Sequence, residues 1–323
     1  MPRLSIVIPC LGNAADFDDT LVSVLQNRPA RCEVLVVHAQ PYDDPYGLGE
    51  EVRFLRVTGK PSLVQLVNTG LEAARSEVVH VLGCRLIAPE GWADAALGHF
   101  DTDVAAVSPL IVSTADQQIT AAGVKYGMSG ARKVIGNGLE LNSRRLARLQ
   151  VSGPTLEAGF YRREVLLALG GWCDGLGDGA DVDLARSLAR LDLRTVIATN
   201  AVVHEKRHAP RLGGFSHGRA LERLFWRQAA GSKHRALAIA LHTLAVGCEF
   251  LARIPKGDAV TTLVGRLVGL LHAGKLGDYR QLLDQAKLAL DGEADDVIAP
   301  QTLSLQSARA EAAPAEGKRR RAA

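Results

Sequence analysis

Leu4-Ser5-Ile6-Val7-Ile8-Pro9 opens the chain, and Glu33-Val34-Leu35-Val36-Val37 follows one helix-length later. Both are short runs rich in β-branched residues, which pack well on a pleated surface and read as buried strands. Between them, over residues 18–26, Leu21, Val22, Val24 and Leu25 recur at helical spacing. The alternation continues with a third strand over 52–57. Pro61 then opens a helix with Leu63, Leu66, Val67 and Leu71 on one face. A fourth strand spans 78–82, and Pro89-Glu90-Gly91-Trp92 opens another helix. Strands separated by helices of this length predict right-handed βαβ units, hence an α/β fold with a mostly parallel sheet flanked by helices. In such sheets ligands bind beyond the carboxyl ends of the strands. That rule directs attention to residues 9–13, 38–40 and 83–86.

Further along, residues 119–126 and 155–161 read as strands on either side of a loop rich in Gly, Ser and Arg. Residues 163–169 and 181–191 read as helices, and 195–198 and 201–203 are again extended. From about Gly218 to Leu290 the pattern is almost wholly helical. The Ala-, Glu-, Ser- and Pro-rich remainder reads as disordered. Three parts are therefore expected: an α/β domain over 1–215, a helical extension over 216–292 and a tail over 293–323.

Composition excludes several classes. A net charge of +3 in 323 residues is too small to argue for nucleic acid, and the tail run Lys318-Arg319-Arg320-Arg321 supplies part of it. The five cysteines are odd in number and form no CxxC pair, which supports neither a disulfide framework nor a zinc ribbon. A reducing cytoplasm is the expected location, and the N-terminus lacks the pattern of a cleaved signal. The longest apolar stretch, residues 236–248, stops at Glu249. It is too short to span a bilayer on this count, which needs about 20 residues.

The opening strand–helix–strand resembles that of family-2 glycosyltransferases with the GT-A fold. So does Asn68-Thr69-Gly70-Leu71-Glu72-Ala73-Ala74 just before the fourth strand. Arg162-Arg163-Glu164-Val165, Gly170-Gly171-Trp172, Asp181-Val182-Asp183-Leu184 and Val202-Val203-His204 follow in that family's order and spacing. The resemblance covers residues 4–204. It implies transfer of a sugar from a nucleoside-diphosphate donor to a saccharide or lipid-linked acceptor, by single displacement with inversion. In such enzymes a carboxylate takes the acceptor's proton. A metal ion or fixed cations stabilise the leaving diphosphate.

Carried onto this sequence, the resemblance puts the base at Asp181, with Ala180 where a glutamate is usual. A carboxylate at a helix start also complements exposed backbone N–H groups, so capping is an equal reading. Asp183 and Trp172 fall on the acceptor side, with Asp183 expected to face the sheet or loop as a supporting polar group and Trp172 either stacking on a sugar or packing beside its glycines. Pro9, His38 and Asn68 fall on the nucleotide side, although His38 replaces the usual aspartate and Asn68 has a helix-capping alternative. Gly83 and Arg85 occupy the two Asp-x-Asp positions, and neither offers an oxygen to a divalent cation. A metal cofactor is therefore not expected. Either Arg85 grips the diphosphate in the metal's place, as a forked guanidinium can, or the donor site has decayed and the fold serves as a scaffold or binding module.

Three other patterns fail on physical grounds. His204-Glu205-Lys206-Arg207-His208 fits the zinc-protease HExxH, but that motif needs a helix, whereas here a β-branched run precedes it and Pro210 follows. Gly175-Leu176-Gly177-Asp178-Gly179 follows no strand and lacks the GxGxxG spacing, so it reads as a flexible loop. Asp174, Asp178, Asp181 and Asp183 lack the alternation and terminal glutamate of a calcium loop. In the helical extension, basic edges beside apolar faces suit peripheral contact with an anionic membrane. Packing back on the α/β domain or on a second subunit is the reading that the pattern favours.

Overall fold

The computed structural model describes residues 3–12, 14–42, 44, 46–101, 103–127, 130–206, 213–229, 235–272 and 279–291. Strands β1 (Leu4–Cys10), β2 (Cys32–His38), β3 (Val52–Arg56) and β4 (Val78–Leu82) lie in the order β3-β2-β1-β4, all parallel. Period-2 alternation divides their side chains between two cores. Val7, Leu35 and Val37 point to one face, and Ile6, Ile8, Val34 and Val36 to the other. Helix α1 (Ala14–Asn27) covers the second face with Phe17 and Leu21, and α2 (Leu63–Ala73) covers the first with Leu66 and Val67. A capping box starts α2. Gln65 N donates to the Ser62 hydroxyl at 3.1 Å while Ser62 N donates to the Gln65 side chain at 2.8 Å.

After β5 (Leu86–Ile87) and α3 (Trp92–Leu97) comes β6 (Val104–Ser113), a strand that the sequence reading did not find. Every residue of β6 is buried, so it lacks the alternation that marks a half-exposed strand. Pro109 also breaks the pattern. The predicted strand over 119–126 is two strands in different sheets. β7 (Gln118–Ala121) pairs with β6, while β8 (Gly123–Tyr126) forms a hairpin with β9 (Arg132–Ile135). The chain turns between them at Gly123, whose φ of 141° favours glycine. β10 (Leu139–Glu140) closes the edge beside β7.

β11 (Ala158–Arg162) slots antiparallel between β4 and β6. Helices α4 (Arg163–Ala168) and α5 (Ala180–Arg190) follow. The two extended segments near residue 200 are one bulged strand, β12 (Arg194–Glu205), parallel to β6. Hence β1 to β4, β6 and β12 share one direction, with β11 inverted among them.

His80 sits at the centre of β4 with no exposed surface. Its ring stacks on Phe160 at 3.7 Å. Trp92 Nε1 donates to His80 Nε2 at 3.2 Å, so Nδ1 carries the proton and donates to the Gly159 carbonyl at 3.0 Å. Burial pulls its pKa down to about 3, and the ring is neutral at ordinary pH.

The extension comprises α6 (Gly214–Ala229), α7 (Arg235–Arg253), α8 (Ala259–Leu271) and α9 (Tyr279–Leu290). The expected tail over 293–323 lies outside the described residues. The estimate that the apolar stretch ends near residue 248 is corrected by α7. The helix runs on past Glu249, and the 21 residues Ala236–Lys256 are long and apolar enough to cross a membrane by length and composition. Glu249 does not end the apolar surface because it turns inward to Arg253 and Arg266.

Candidate functional site

Parallel pairing brings the carboxyl ends of β1, β2, β4 and β12 to one edge of the sheet, and the inverted β11 begins there. Ala158 lies opposite Leu82, so Glu157 stands beside the tip of β4, where Gly83 N donates to the Glu157 carbonyl at 2.8 Å. Arg85 projects from that tip between two carboxylates. Its Nη2 binds Glu157, and its Nε donates to Glu205, at the end of β12, at 3.3 Å.

The head of α5 meets the same group. Asp181 is 1 % exposed in its side chain. The Arg132 Nε donates to both of its oxygens at 3.0 Å and Nη2 donates to Oδ2 at 2.7 Å. Leu156 N–H adds a longer bond at 3.3 Å. Glu157 feels the charges of both Arg85 and Arg132. The result is an ion ladder in two parts, Glu205–Arg85–Glu157 and Arg132–Asp181, joined through the backbone at residues 156–157, where Leu156 N–H bonds Asp181 and the next residue, Glu157, binds Arg85. Burial pushes the Glu157 carboxyl up, Arg85 opposing and Glu205 adding to the rise. Burial alone would lower the Arg132 pKa, but Asp181 outweighs it and the net shift is upward.

The remaining predicted residues divide. Pro9 is buried near the end of β1, level with Val37 of β2. His38 ends β2 at the same edge, where its Nδ1–H donates to the Gln40 carbonyl at 2.7 Å. Its ring meets Tyr42 and Phe54 edge-on, each at 6.4 Å, and Tyr42 stacks on Phe54. The thiols of Cys10 and Cys84 face each other across the ends of β1 and β4. This contact, together with burial, pushes the Cys10 thiol up.

Asn68 is engaged elsewhere. Its amide donates to the Trp172 carbonyl at 2.7 Å and accepts from Trp172 N at 2.9 Å, clasping the turn at Gly170 and Gly171. Both glycines have positive φ, and a Cβ on Gly171 would strike the Asn68 side chain. Trp172 is 1 % exposed and packs edge-on against Tyr161, so its ring is not open to a sugar.

Asp183 faces away from the ladder. Arg227 Nε donates to both its oxygens at 3.1 Å and Gln228 to one at 2.6 Å, which ties α6 to α5. Burial raises its pKa against the pull of Arg227. It anchors the helical extension.

Capping does not account for Asp181 either. Gly179 is the N-cap of α5, and the carboxylate turns to Arg132 and Leu156. The expected flexible loop is a pair of tight helical turns over Asp174–Gly179, kinked at Gly177, with Leu176 fully buried. The four acids diverge as well: Asp174 reaches Ser62, Asp178 lies 3.8 Å from His217, and the other two take separate arginines. His204 and Glu205 belong to β12, and His208 lies outside the described residues.

Arg132, Glu157 and Glu205 were missed as site residues. Arg132 was hidden in the stretch read as loop, although Arg132-Lys133-Val134-Ile135 can mirror Gly123-Val124-Lys125-Tyr126 across a hairpin. Glu157 was detectable as a lone acid at the foot of an apolar strand. The residues at the β4 tip do not fit a divalent cation, because Glu157 and Glu205, the carboxylates nearest it, hold a guanidinium between them.

No family pattern and no curated protein sequence matches the chain. Solved structures do resemble it. GalNAc-T7, determined with UDP, GalNAc and Mn2+, superposes with a TM-score of 0.55 at 15% identity, over 69% of this chain and 47% of that one. This chain thus spans about half the length of that protein. Residues 1–349 of S. aureus TarS superpose with a TM-score of 0.52 at 14% identity, over 90% of this chain and 91% of that one. The same TarS segment with UDP-GlcNAc gives 0.51 at 13% identity. With its parallel sheet, inverted β11 and polar cluster at the carboxyl edge, the chain has the GT-A fold of nucleotide-sugar glycosyltransferases.

Proposed function

We propose that this chain transfers a sugar from a nucleoside-diphosphate donor to a saccharide or lipid-linked acceptor, using arginines where relatives of this fold use a metal. The observation that carries the reading is the join at residues 156–157, because Leu156 N–H bonds Asp181 at the head of α5 while the adjacent Glu157 binds Arg85 at the β4 tip. UDP-bound TarS and GalNAc-T7 supply the donor class by analogy of fold.

In this reading the donor diphosphate competes with Glu157 and Glu205 for Arg85, and with Asp181 for Arg132. Asp181, released from its guanidinium, takes the acceptor hydroxyl proton as that oxygen bonds to the anomeric carbon. The bond from that carbon to the diphosphate breaks, and the departing oxygen carries its electron pair to the arginines. Attack opposite the leaving group inverts the anomeric centre.

A second reading has a specific observation in its favour. Both Asp181 oxygens are engaged by Arg132, and both arginines already have acidic partners, as in a fold kept for binding alone. Calorimetric titration with UDP and GDP, with and without EDTA, decides between them. Transfer predicts binding that ignores EDTA and is lost in Arg85→Ala. It also predicts that Asp181→Asn binds nucleotide but transfers no sugar. Absence of binding to either nucleotide supports the second reading.

A further inference from the structure

The α7–α8 layer has its polarity turned inside out. On α7 the residues at helical spacing that face the protein are His242, Val246, Glu249 and Arg253. The Glu222 carboxylate on α6 accepts from Trp226 Nε1 at 2.8 Å, from His242 Nε2 at 3.0 Å and from Arg266 Nη1 at 3.1 Å. Arg266 continues to Glu249 at 3.0 Å, and Arg253 links Glu249 to Asp258. The outward side carries Leu237, Leu244 and Leu251 on α7 and Val260, Leu267 and Leu271 on α8. Leu244 is 66 % exposed and Leu271 79 %.

A helical layer made to meet water buries its apolar stripe and exposes its charges. This one does the reverse. The α6–α8 crossing repeats the theme, because Gly218, Gly265 and Gly269 let the backbones touch and a Cβ on any of them would strike the opposing helix. Small residues four apart at a crossing, polar groups inside and leucines outside are the pattern of helices solvated by lipid.

We infer that the outward face of α7 and α8 docks on an anionic lipid bilayer, lying flat with its leucines among the acyl chains. Charge complementarity selects this occupant. Neither helix carries an acidic residue on its outward side, exposed Lys256 sits at the turn between them, and Arg235 is the first residue of α7. Basic groups bordering an apolar helix face match anionic headgroups above acyl chains. A shallow groove along Ala240, Leu244, Gly247 and Leu251 adds an open apolar channel on that face. The inward ties of His242, Glu249 and Arg253 hold α7 against the protein, so it lies along the membrane although it is long enough to cross one. None of these residues belongs to the ladder, and the inference stands apart from sugar transfer.

Flotation of the full chain with phosphatidylcholine vesicles, with and without phosphatidylglycerol, tests it. The expected result is that the protein rises with the anionic vesicles, at least tenfold more than with neutral ones. The double variant Leu244→Glu/Leu267→Glu should stay in the aqueous fraction with an unchanged thermal melt, both positions being exposed. Equal flotation of that variant, or no preference for phosphatidylglycerol, overturns the proposal. So does a wild-type dimer that ignores vesicles and is dissolved by the same substitutions, which assigns the face to a second copy.

Discussion

The Arg132 guanidinium grips Asp181 in a two-pronged ion pair, with Nε 3.0 Å from each carboxylate oxygen and Nη2 2.7 Å from Oδ2. Both groups are largely out of water, where an ion left without its partner is costly. Arg132→Met should therefore destabilise the fold by about 3–5 kcal/mol. In the double variant Arg132→Met/Asp181→Leu most of that loss should return. Urea denaturation of the two variants and wild type measures it. A single variant as stable as wild type would contradict the pairing.

Glu157 competes with any incoming anion for Arg85. Glu157→Gln keeps the shape and removes the charge, so nucleoside diphosphate should bind about tenfold more tightly, or about 1.4 kcal/mol. Calorimetry with UDP provides the measurement. Unchanged or weaker affinity would mean that Arg85 does not meet the diphosphate.

His80 should make stability depend on pH. Its folded pKa is lowered to about 3 from an ordinary 6.5, so between these values the unfolded chain holds a proton that the folded chain lacks. Stability from this group is complete above about pH 6.5 and falls as the pH drops toward 3, by at most about 1.4 kcal/mol per pH unit. Comparing the urea midpoints of wild type and His80→Gln from pH 7.5 to 5 isolates the effect. Parallel curves would show that His80 is not the source.

The glycines of the extension should differ sharply. Gly218→Ala pushes a methyl group onto the Thr262 carbonyl and should cost about 1–3 kcal/mol. Gly247→Ala, with nothing near its Cβ, should be neutral or stabilise α7 by up to about 1 kcal/mol. Thermal melting of both separates a packed helix crossing from a loose one.

Much of the fold was legible because β1, β2 and β4 and the helix after Pro61 carry unbroken local patterns. β6 was not, since a strand buried on both faces has no alternation and Pro109 interrupts its run. The site was legible only at the level of placement. Arg85 and Asp181 each bond to the short segment 156–157 that leads into β11, Arg85 through Glu157 and Asp181 through Leu156 N–H. What each side chain does was decided by partners distant in the chain. Asn68 was drawn to the Trp172 backbone, Asp183 to Arg227, and Trp172 into the core, and no window of sequence around those residues contains the groups that claim them. Arg132 shows the converse, since its role exists only once the β8–β9 hairpin sets it against α5.

The inverted β11 bears on how the protein assembles. Its place between β4 and β6 must be filled by a segment synthesised after both of them, so those two parallel strands cannot pair as neighbours joined by a single crossover. Until that late arrival the sheet has two unpaired inner margins, each a template for the wrong partner. Folding should accordingly pass through a slow step governed by this insertion, and chain breaks between β6 and β11 should be better tolerated by the finished protein than by the one still folding.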